Sequence, residues 1–310
     1  MKITNILVAG HYEDVFRKHF SSTNLYKLRF IPVDEITDED FDWADAYVGF
    51  MPTPQFQLSK LKWVHSFNAG VNNFLEIDGW IENGVLLTRT ICSFGQRISE
   101  YCLSYVLKEL QHQKFFEEKQ REKKWVRKPP IMIKEQTIVI FGTGEIGQEV
   151  ARTFTQFGAT VYGVSRSGEQ KEYFQSVTTI FDASKVLSKA DWVISTLPFT
   201  KETDNLFNKE LFNHFNHAAF INVGRGKTVD EIALIDALNK GKIRHAVLDV
   251  VAVEPLPSDS PLWERKDVTI TPHISAITDL DEAVTCFIET LHQIEQDIVP
   301  PNKVDVKKGY

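Results

Sequence analysis

Residues 137–151 read TIVIFGTGEIGQEVA, an apolar β-branched run followed by Gly142-x-Gly144-x-x-Gly147 and an amphipathic stretch. This segment constrains the fold more than any other. A strand that enters a helix through glycines at this spacing has a tight turn at Gly142, a bare backbone at Gly144 and close helix–strand packing at Gly147. The helix N-terminus then offers unpaired N–H groups to an anion. The spacing predicts a dinucleotide-binding turn, with Gly142, Thr143, Gly144, Glu145, Ile146 and Gly147 as candidate contacts.

Short apolar runs recur on both sides of this turn. Before it lie 5–8, 26–31, 46–49, 63–66 and 85–87, with an amphipathic stretch at 12–20. After it come 159–164, 192–196, 219–223, 246–249 and 268–270, with helical patterns at 145–157 and 231–239. Strands alternating with helices predict an α/β fold of doubly wound parallel sheets. At 310 residues and 43% hydrophobic, the chain holds material for two such domains. The expected division is 1–98 plus 278–310 for the first, discontinuous domain and 99–277 for the second. The tail after His273 reads as helical from 278 to 299 and is too short for a domain, so it is expected to pack back on the first unit. Residues 99–128 read as helical, apolar at first and then mixed in charge (KFFEEKQREKKWVRK). That arm suits a solvated or subunit-facing surface, closed by Pro129 and Pro130.

The residues after the next strand choose the cofactor. NAD sites usually carry a carboxylate about 20 residues beyond the glycine turn, to bond the ribose hydroxyls. Here the sequence is VYGVSRSG, with Ser165, Arg166 and Ser167 and no acid. Arg166 suits a 2′-phosphate, which predicts a preference for NADP(H) with NAD(H) still possible.

Three later segments each set a polar group just after an apolar run. FINVGRGKTVDEIAL carries Arg225, AVLDVVAVEPLPSDSPLW carries Asp249 and Glu254, and VTITPHISAIT carries His273. Open α/β sheets bind ligands at the carboxyl ends of their strands. An arginine there clamps a carboxylate, an acid orients an imidazole, and a histidine moves a proton near neutral pH.

In this order and with these neighbours, the segments resemble the D-isomer-specific 2-hydroxyacid dehydrogenase family. LPFTKETDNLFN at 197–208, the NVGRG turn, SFNAGVNNF at 66–74 and ISEYCLSYVL at 98–107 share in the resemblance, which covers most of the chain. It implies a Rossmann dinucleotide-binding domain and a flavodoxin-like substrate domain. It also implies hydride transfer between NADP(H) or NAD(H) and a small 2-oxo or D-2-hydroxy acid of the glyoxylate/hydroxypyruvate type. Arg225 would hold the substrate carboxylate and polarise its carbonyl, His273 would protonate the carbonyl oxygen, and Glu254 would hydrogen-bond His273. Asp249 would secure the nicotinamide carboxamide, and Leu197, Pro198, Thr203, Val223 and Gly224 would complete the cofactor contacts. The backbone amides of Ala69, Gly70 and Val71 would receive the substrate carboxylate, beside which Met51 and Phe67 are either an apolar wall or core. The resemblance also implies a homodimer.

Other classes fit less well. A net charge of -7 argues against nucleic-acid and anionic-membrane partners. No segment has the length of a membrane span, the N-terminus turns polar too early for a signal peptide, and the three cysteines have no metal-ligand spacing. These features predict a cytoplasmic protein without a metal. The serine-hydrolase elbow is absent, because Gly168 falls one residue late. An NAD-dependent D-3-phosphoglycerate dehydrogenase stands as an alternative; Arg89 and Arg97 are its candidate phosphate ligands, but the tail is short for a regulatory domain. A dinucleotide-sensing co-repressor or scaffold stands as another.

Overall fold

The computed structural model describes residues 1–20 and 25–308; residues 21–24 and 309–310, which fall in the expected first domain, lie outside the described residues. The described residues form twelve strands: β1 (Asn5–Ala9), β2 (Lys27–Ile31), β3 (Ala46–Gly49), β4 (Trp63–Ser66), β5 (Leu86–Arg89), β6 (Thr137–Phe141), β7 (Thr160–Val164), β8 (Ser176–Thr178), β9 (Trp192–Ser195), β10 (Ala218–Asn222), β11 (Ile243–Leu248) and β12 (Val268–Ile270). They form two parallel sheets, of order β2-β1-β3-β4-β5 and β12-β11-β10-β9-β6-β7-β8. Contacts divide the chain into two compact units, Met1–Phe94 with Thr278–Tyr310, and Gly95–Ile277. The helix Phe94–Leu110 spans residues 98 and 99, where the sequence reading set its boundary.

In the first unit, side chains alternate across the sheet as the two-residue strand period requires. Leu7, Tyr47 and Val64 face a layer with Phe41, Phe74 and Trp80. Ile6, Val8 and Trp63 face Phe16 and the tail helix Leu280–Glu295, which contributes Ala283, Val284, Phe287 and Leu291. The rings of Trp63 and Phe287 stack with centroids 5.0 Å apart. The edge strand β5 is covered by the chain end: Arg89 N donates to Asn302 O, Val304 N donates to Leu87 O, and Thr88 bridges Lys303. His65 lies fully inside this core, bonded to Thr88 and Thr90, and burial pushes its imidazole down to about 3. It is a neutral core residue.

In the second unit, β6 lies between β9 and β7, so the strand order reverses beside the glycine turn. Such reversals open a crevice at the strands' carboxyl ends. The central strands β9 and β10 are buried along their whole length, which is why their sequences read as unbroken apolar runs. Ile98, Cys102, Val106 and Leu110 bury one stripe of the helix Phe94–Leu110 against Ile138, Ile140, Val150 and Phe154.

Two local expectations change. The single helical stretch read at 99–128 is two helices, Phe94–Leu110 and Gln113–Arg121, broken where His112 takes a left-handed φ of 54°. The imidazole of His112 meets the Pro129 carbonyl at 2.9 Å, and Ile131 N donates to Leu110 O, so the arm folds back on the helix end. The short strand β8 was not read, because Ser-Val-Thr offers only one buried side chain.

Candidate active site

The strand ends of the second unit form one row. Phe141 is paired with Val164 and with Ser195, Ser195 with Asn222, Asn222 with Leu248, and Leu248 with Ile270. Six loops therefore leave the sheet along one rim, at the strand spacing of about 4.8 Å. The glycine turn, Ser165–Arg166–Ser167, the Leu197–Pro198 segment, Val223–Gly224–Arg225, Asp249–Glu254 and the His273 loop all begin there.

The three glycines of the turn have separate reasons. Gly142 holds φ 96°, and a Cβ on Gly147 would lie 1.9 Å from the Gly142 oxygen, so protein geometry alone dictates both. A Cβ on Gly144 would meet no atom within 4 Å. Packing therefore does not require that glycine, whereas a ligand approaching the backbone would. The helix Glu145–Gln156 starts at Gly144 without a side-chain cap, and its first-turn N–H groups face that open space. The cradle fits a pyrophosphate.

At the end of β7, Ser165 Oγ accepts from Gly168 N at 3.1 Å and Ser167 Oγ accepts from Glu169 N at 3.3 Å. The hydroxyls thus cap their own turn, while Arg166 is exposed. Across the rim, the Glu202 carboxyl is held below its usual range, first by its own N–H, then by the Thr200 hydroxyl and more weakly by Arg166. Thr203 closes the same loop, with its hydroxyl on the Pro198 carbonyl at 2.7 Å and the Thr200 N–H on its oxygen at 2.8 Å.

The Gly-Arg-Gly turn is wedged between its neighbours. A Cβ on Gly224 would lie 2.5 Å from the Leu197 oxygen, and one on Gly226 1.9 Å from the Val251 carbonyl. Only bare backbone lets the Arg225 turn sit this close to the loops after β9 and β11. The Arg225 carbonyl accepts from Asn222 Nδ2 and Thr228 Oγ1, which fixes the turn, and its guanidinium reaches the Gly224 carbonyl at 2.7 Å.

Asp249 organises the last loop. Its carboxylate is 1% exposed and accepts from Thr271 Oγ1 at 2.6 Å, Ile274 N at 2.8 Å and Ser275 N at 2.9 Å. Among the described residues it has no ion-pair partner. Its backbone oxygen accepts from His273 N at 2.9 Å, and His273 itself holds φ 54°. The Tyr101 hydroxyl meets Thr271 Oγ1 at 2.6 Å; because Thr271 donates to Asp249, Tyr101 donates to Thr271. Burial, with a contribution from the Asp249 charge, raises the Tyr101 phenol and keeps it protonated.

His273 is half-exposed, and its Nδ1 lies 2.8 Å from Glu254 Oε2, while Glu254 Oε1 accepts from Val251 N at 3.3 Å. The carboxylate is thus aimed from one side and takes the Nδ1–H, leaving Nε2 as the free face of the ring. Tyr101, Thr271 and Asn222 complete the arrangement but were not among the predicted site residues. Tyr101 read as an apolar helix position, and only the nearness of Thr271 to His273 in sequence pointed to a role.

The loop at 66–74 belongs to the first unit. The N–H groups of Ala69, Gly70 and Val71 have no acceptor among the described residues. Phe67 is buried against Tyr12, Phe16 and Phe50, so it is core; Met51 is exposed. Among the described residues no group of three or more His, Cys, Asp or Glu side chains could hold a metal, and no helix is long and apolar enough to cross a membrane.

The family model for the NAD binding domain of D-isomer specific 2-hydroxyacid dehydrogenases matches residues 103–275. Glyoxylate/hydroxypyruvate reductase A of Serratia proteamaculans is 35% identical over 257 residues, covering 81% of this chain and 82% of that protein. A D-isomer specific 2-hydroxyacid dehydrogenase from Xanthobacter autotrophicus, solved with NADPH, superposes with a TM-score of 0.88 at 29% identity over the full length of both chains. The NADPH-dependent glyoxylate/hydroxypyruvate reductase of Sinorhizobium meliloti, solved with NADP and sulfate, also gives 0.88, at 25% identity over 99% of this chain and 100% of that one.

Replacing Asp249 by Asn tests the loop anchor. The amide cannot accept from all three donors, and a buried donor left unpaired costs about 1–3 kcal/mol. We expect faster hydrogen exchange at the Ile274 and Ser275 amides and a lower denaturation midpoint. Unchanged exchange would contradict the anchoring role.

Proposed function

The chain belongs to the D-isomer specific 2-hydroxyacid dehydrogenase family, and on that premise we propose that it reduces small 2-oxo acids of the glyoxylate and hydroxypyruvate class with NADPH. One observation carries the reading: the in-register row of strand ends gathers the glycine cradle, Arg225 and the His273–Glu254 pair on a single rim.

The dinucleotide would be held by the first-turn N–H groups beyond Gly144 and by Arg166, with Leu197, Pro198, Thr203, Val223 and Gly224 along its path. When bound, it supplies a hydride from its nicotinamide. Asp249 is committed to the His273 loop, so any contact with the carboxamide would use the remaining lone pairs of its oxygens. The choice of NADP(H) over NAD(H) is supported by Arg166 standing where a ribose-binding acid would be, and by the NADPH and NADP bound to the similar structures.

Reduction of a 2-oxo acid adds a hydride to carbon and a proton to oxygen, so negative charge grows on the oxygen before the proton arrives. Arg225 would bind the carboxylate and stabilise that charge. His273, with Nδ1–H donated to Glu254, would present the transferable proton at Nε2 and pass it to the carbonyl oxygen. Being half-exposed, the imidazole can then regain a proton from water. The N–H groups of Ala69, Gly70 and Val71, without an acceptor among the described residues, would receive the substrate carboxylate.

The arm after the long helix supports a homodimer. Phe116, Trp125, Val126, Ile131 and Met132 are all exposed, Trp125 at 96%. Sedimentation equilibrium should return twice the chain mass, and a monomer mass at micromolar concentration would contradict the dimer. The buried cysteines Cys102 and Cys286 are free thiols, which supports a reducing, cytoplasmic setting.

Steady-state assays with NADPH and glyoxylate test the assignment. His273→Ala and Arg225→Ala should each lower kcat/KM by roughly two or more orders of magnitude, and Arg166→Ala should erase a preference for NADPH over NADH. Near wild-type rates in the first two variants, or a clear NADH preference in the parent, would defeat the corresponding role.

A further inference from the structure

We propose that Arg89 is the positioning residue of the loop that receives the substrate carboxylate, an inference that rests on the role given to Ala69, Gly70 and Val71. Arg89 ends β5 and pairs in register with Ser66, the last residue of β4, so its side chain starts beside the root of the loop. Its Nη1 donates to the Ala69 carbonyl at 3.1 Å. In a trans peptide the C=O of Ala69 and the N–H of Gly70 point in opposite directions. Gripping the oxygen from one side therefore turns the Gly70 N–H to the other. The guanidinium charge also polarises that amide, which makes the N–H a stronger donor.

Other anchors hold the loop on either side of that peptide, among them Asn73 Nδ2 beyond it, which donates to the Phe50 carbonyl at 3.1 Å. Thr278 Oγ1 donates to the Phe67 carbonyl at 3.2 Å, Asn68 Nδ2 to the Phe50 carbonyl at 2.9 Å, and Asn68 N to Ser66 Oγ at 3.1 Å. Among the described residues, the peptide between Ala69 and Gly70 is held by Arg89. Arg89 is itself fixed by the chain end: its N–H donates to the Asn302 carbonyl at 3.1 Å, and Asn302 Nδ2 donates to the Arg89 carbonyl and to Thr290 Oγ1, both at 2.8 Å. Asn302 is 4% exposed, so this clamp is shielded from water. The tail thus sets the strand end, the strand end aims the guanidinium, and the guanidinium aims the amides.

Arg89→Met and Arg89→Lys test this with three readouts: KM and kcat for glyoxylate with NADPH, the inhibition constant of the unreactive analogue oxamate, and the Kd of NADPH by fluorescence. For Arg89→Met we expect KM and the oxamate constant to rise about tenfold or more, the range of one charge-assisted hydrogen bond. We expect kcat to stay within about threefold and the NADPH Kd to be unchanged, with Arg89→Lys between Met and wild type. A merely structural role would move kcat, NADPH binding and the melting temperature together. Unchanged KM and oxamate constants in a folded Arg89→Met overturn the proposal; if that variant does not fold, unchanged constants in Arg89→Lys do so. A wild-type protein that neither turns over nor binds oxamate would instead defeat the role given to the loop itself.

Discussion

Taking a carboxylate out of water is costly unless donors replace the lost hydration, and Asp249 is a carboxylate almost wholly inside the protein with no cation beside it among the described residues. Its charge is met instead by the Thr271 hydroxyl and the N–H groups of Ile274 and Ser275, the residues that flank His273. Hydrogen bonds to an ionised group contribute about 1.5–3 kcal/mol each, so moving any part of that loop exposes the charge to an unfavourable setting. The left-handed backbone of His273, unfavourable for a side chain with a Cβ, persists because this surround dictates it. Tyr101 extends the network one step into the helix behind, and Cys102 next to it is kept protonated by burial and by the same charge.

The other constraint is steric. Gly147, Gly224 and Gly226 each sit where a Cβ would collide with backbone; Gly147 keeps the glycine turn closed on its helix, and Gly224 and Gly226 let the Arg225 turn lie against the loops after β9 and β11. Gly226 matters most for the chemistry, because the backbone it touches at Val251 also donates to Glu254. The arginine turn and the carboxylate that orients His273 are therefore packed as one body. The glycine turn, the Arg225 turn and the His273–Glu254 pair come to one edge because parallel strands of matched register end together.

Much of this was legible in the sequence, and the reasons are physical. Buried central strands must be apolar on both faces, so β9 and β10 stood out; β8, short and half polar, did not. The glycine spacing was readable because close approach tolerates no other residue. Glu254 and His273 were readable as candidates, and the 2.8 Å contact between them joins residues 19 positions apart. The anchoring role of Asp249 was hidden, since its partners are mainly backbone N–H groups that no side-chain pattern records. The break at His112 was hidden too, because the charged residues around it suit an unbroken helix equally well. Arg89 could be named as a cation but not oriented, because its grip on Ala69 depends on strand register and on a tail more than 200 residues away.

The most direct test of the account follows the reacting atoms. Hydroxypyruvate should be reduced with NADPH in which both hydrogens at C4 of the nicotinamide are deuterium, and the glycerate product resolved by chirality and mass. The account predicts D-glycerate with one deuterium at C2, formed rapidly by the wild type and only slowly by His273→Ala. L-glycerate, or product without the label, would contradict it.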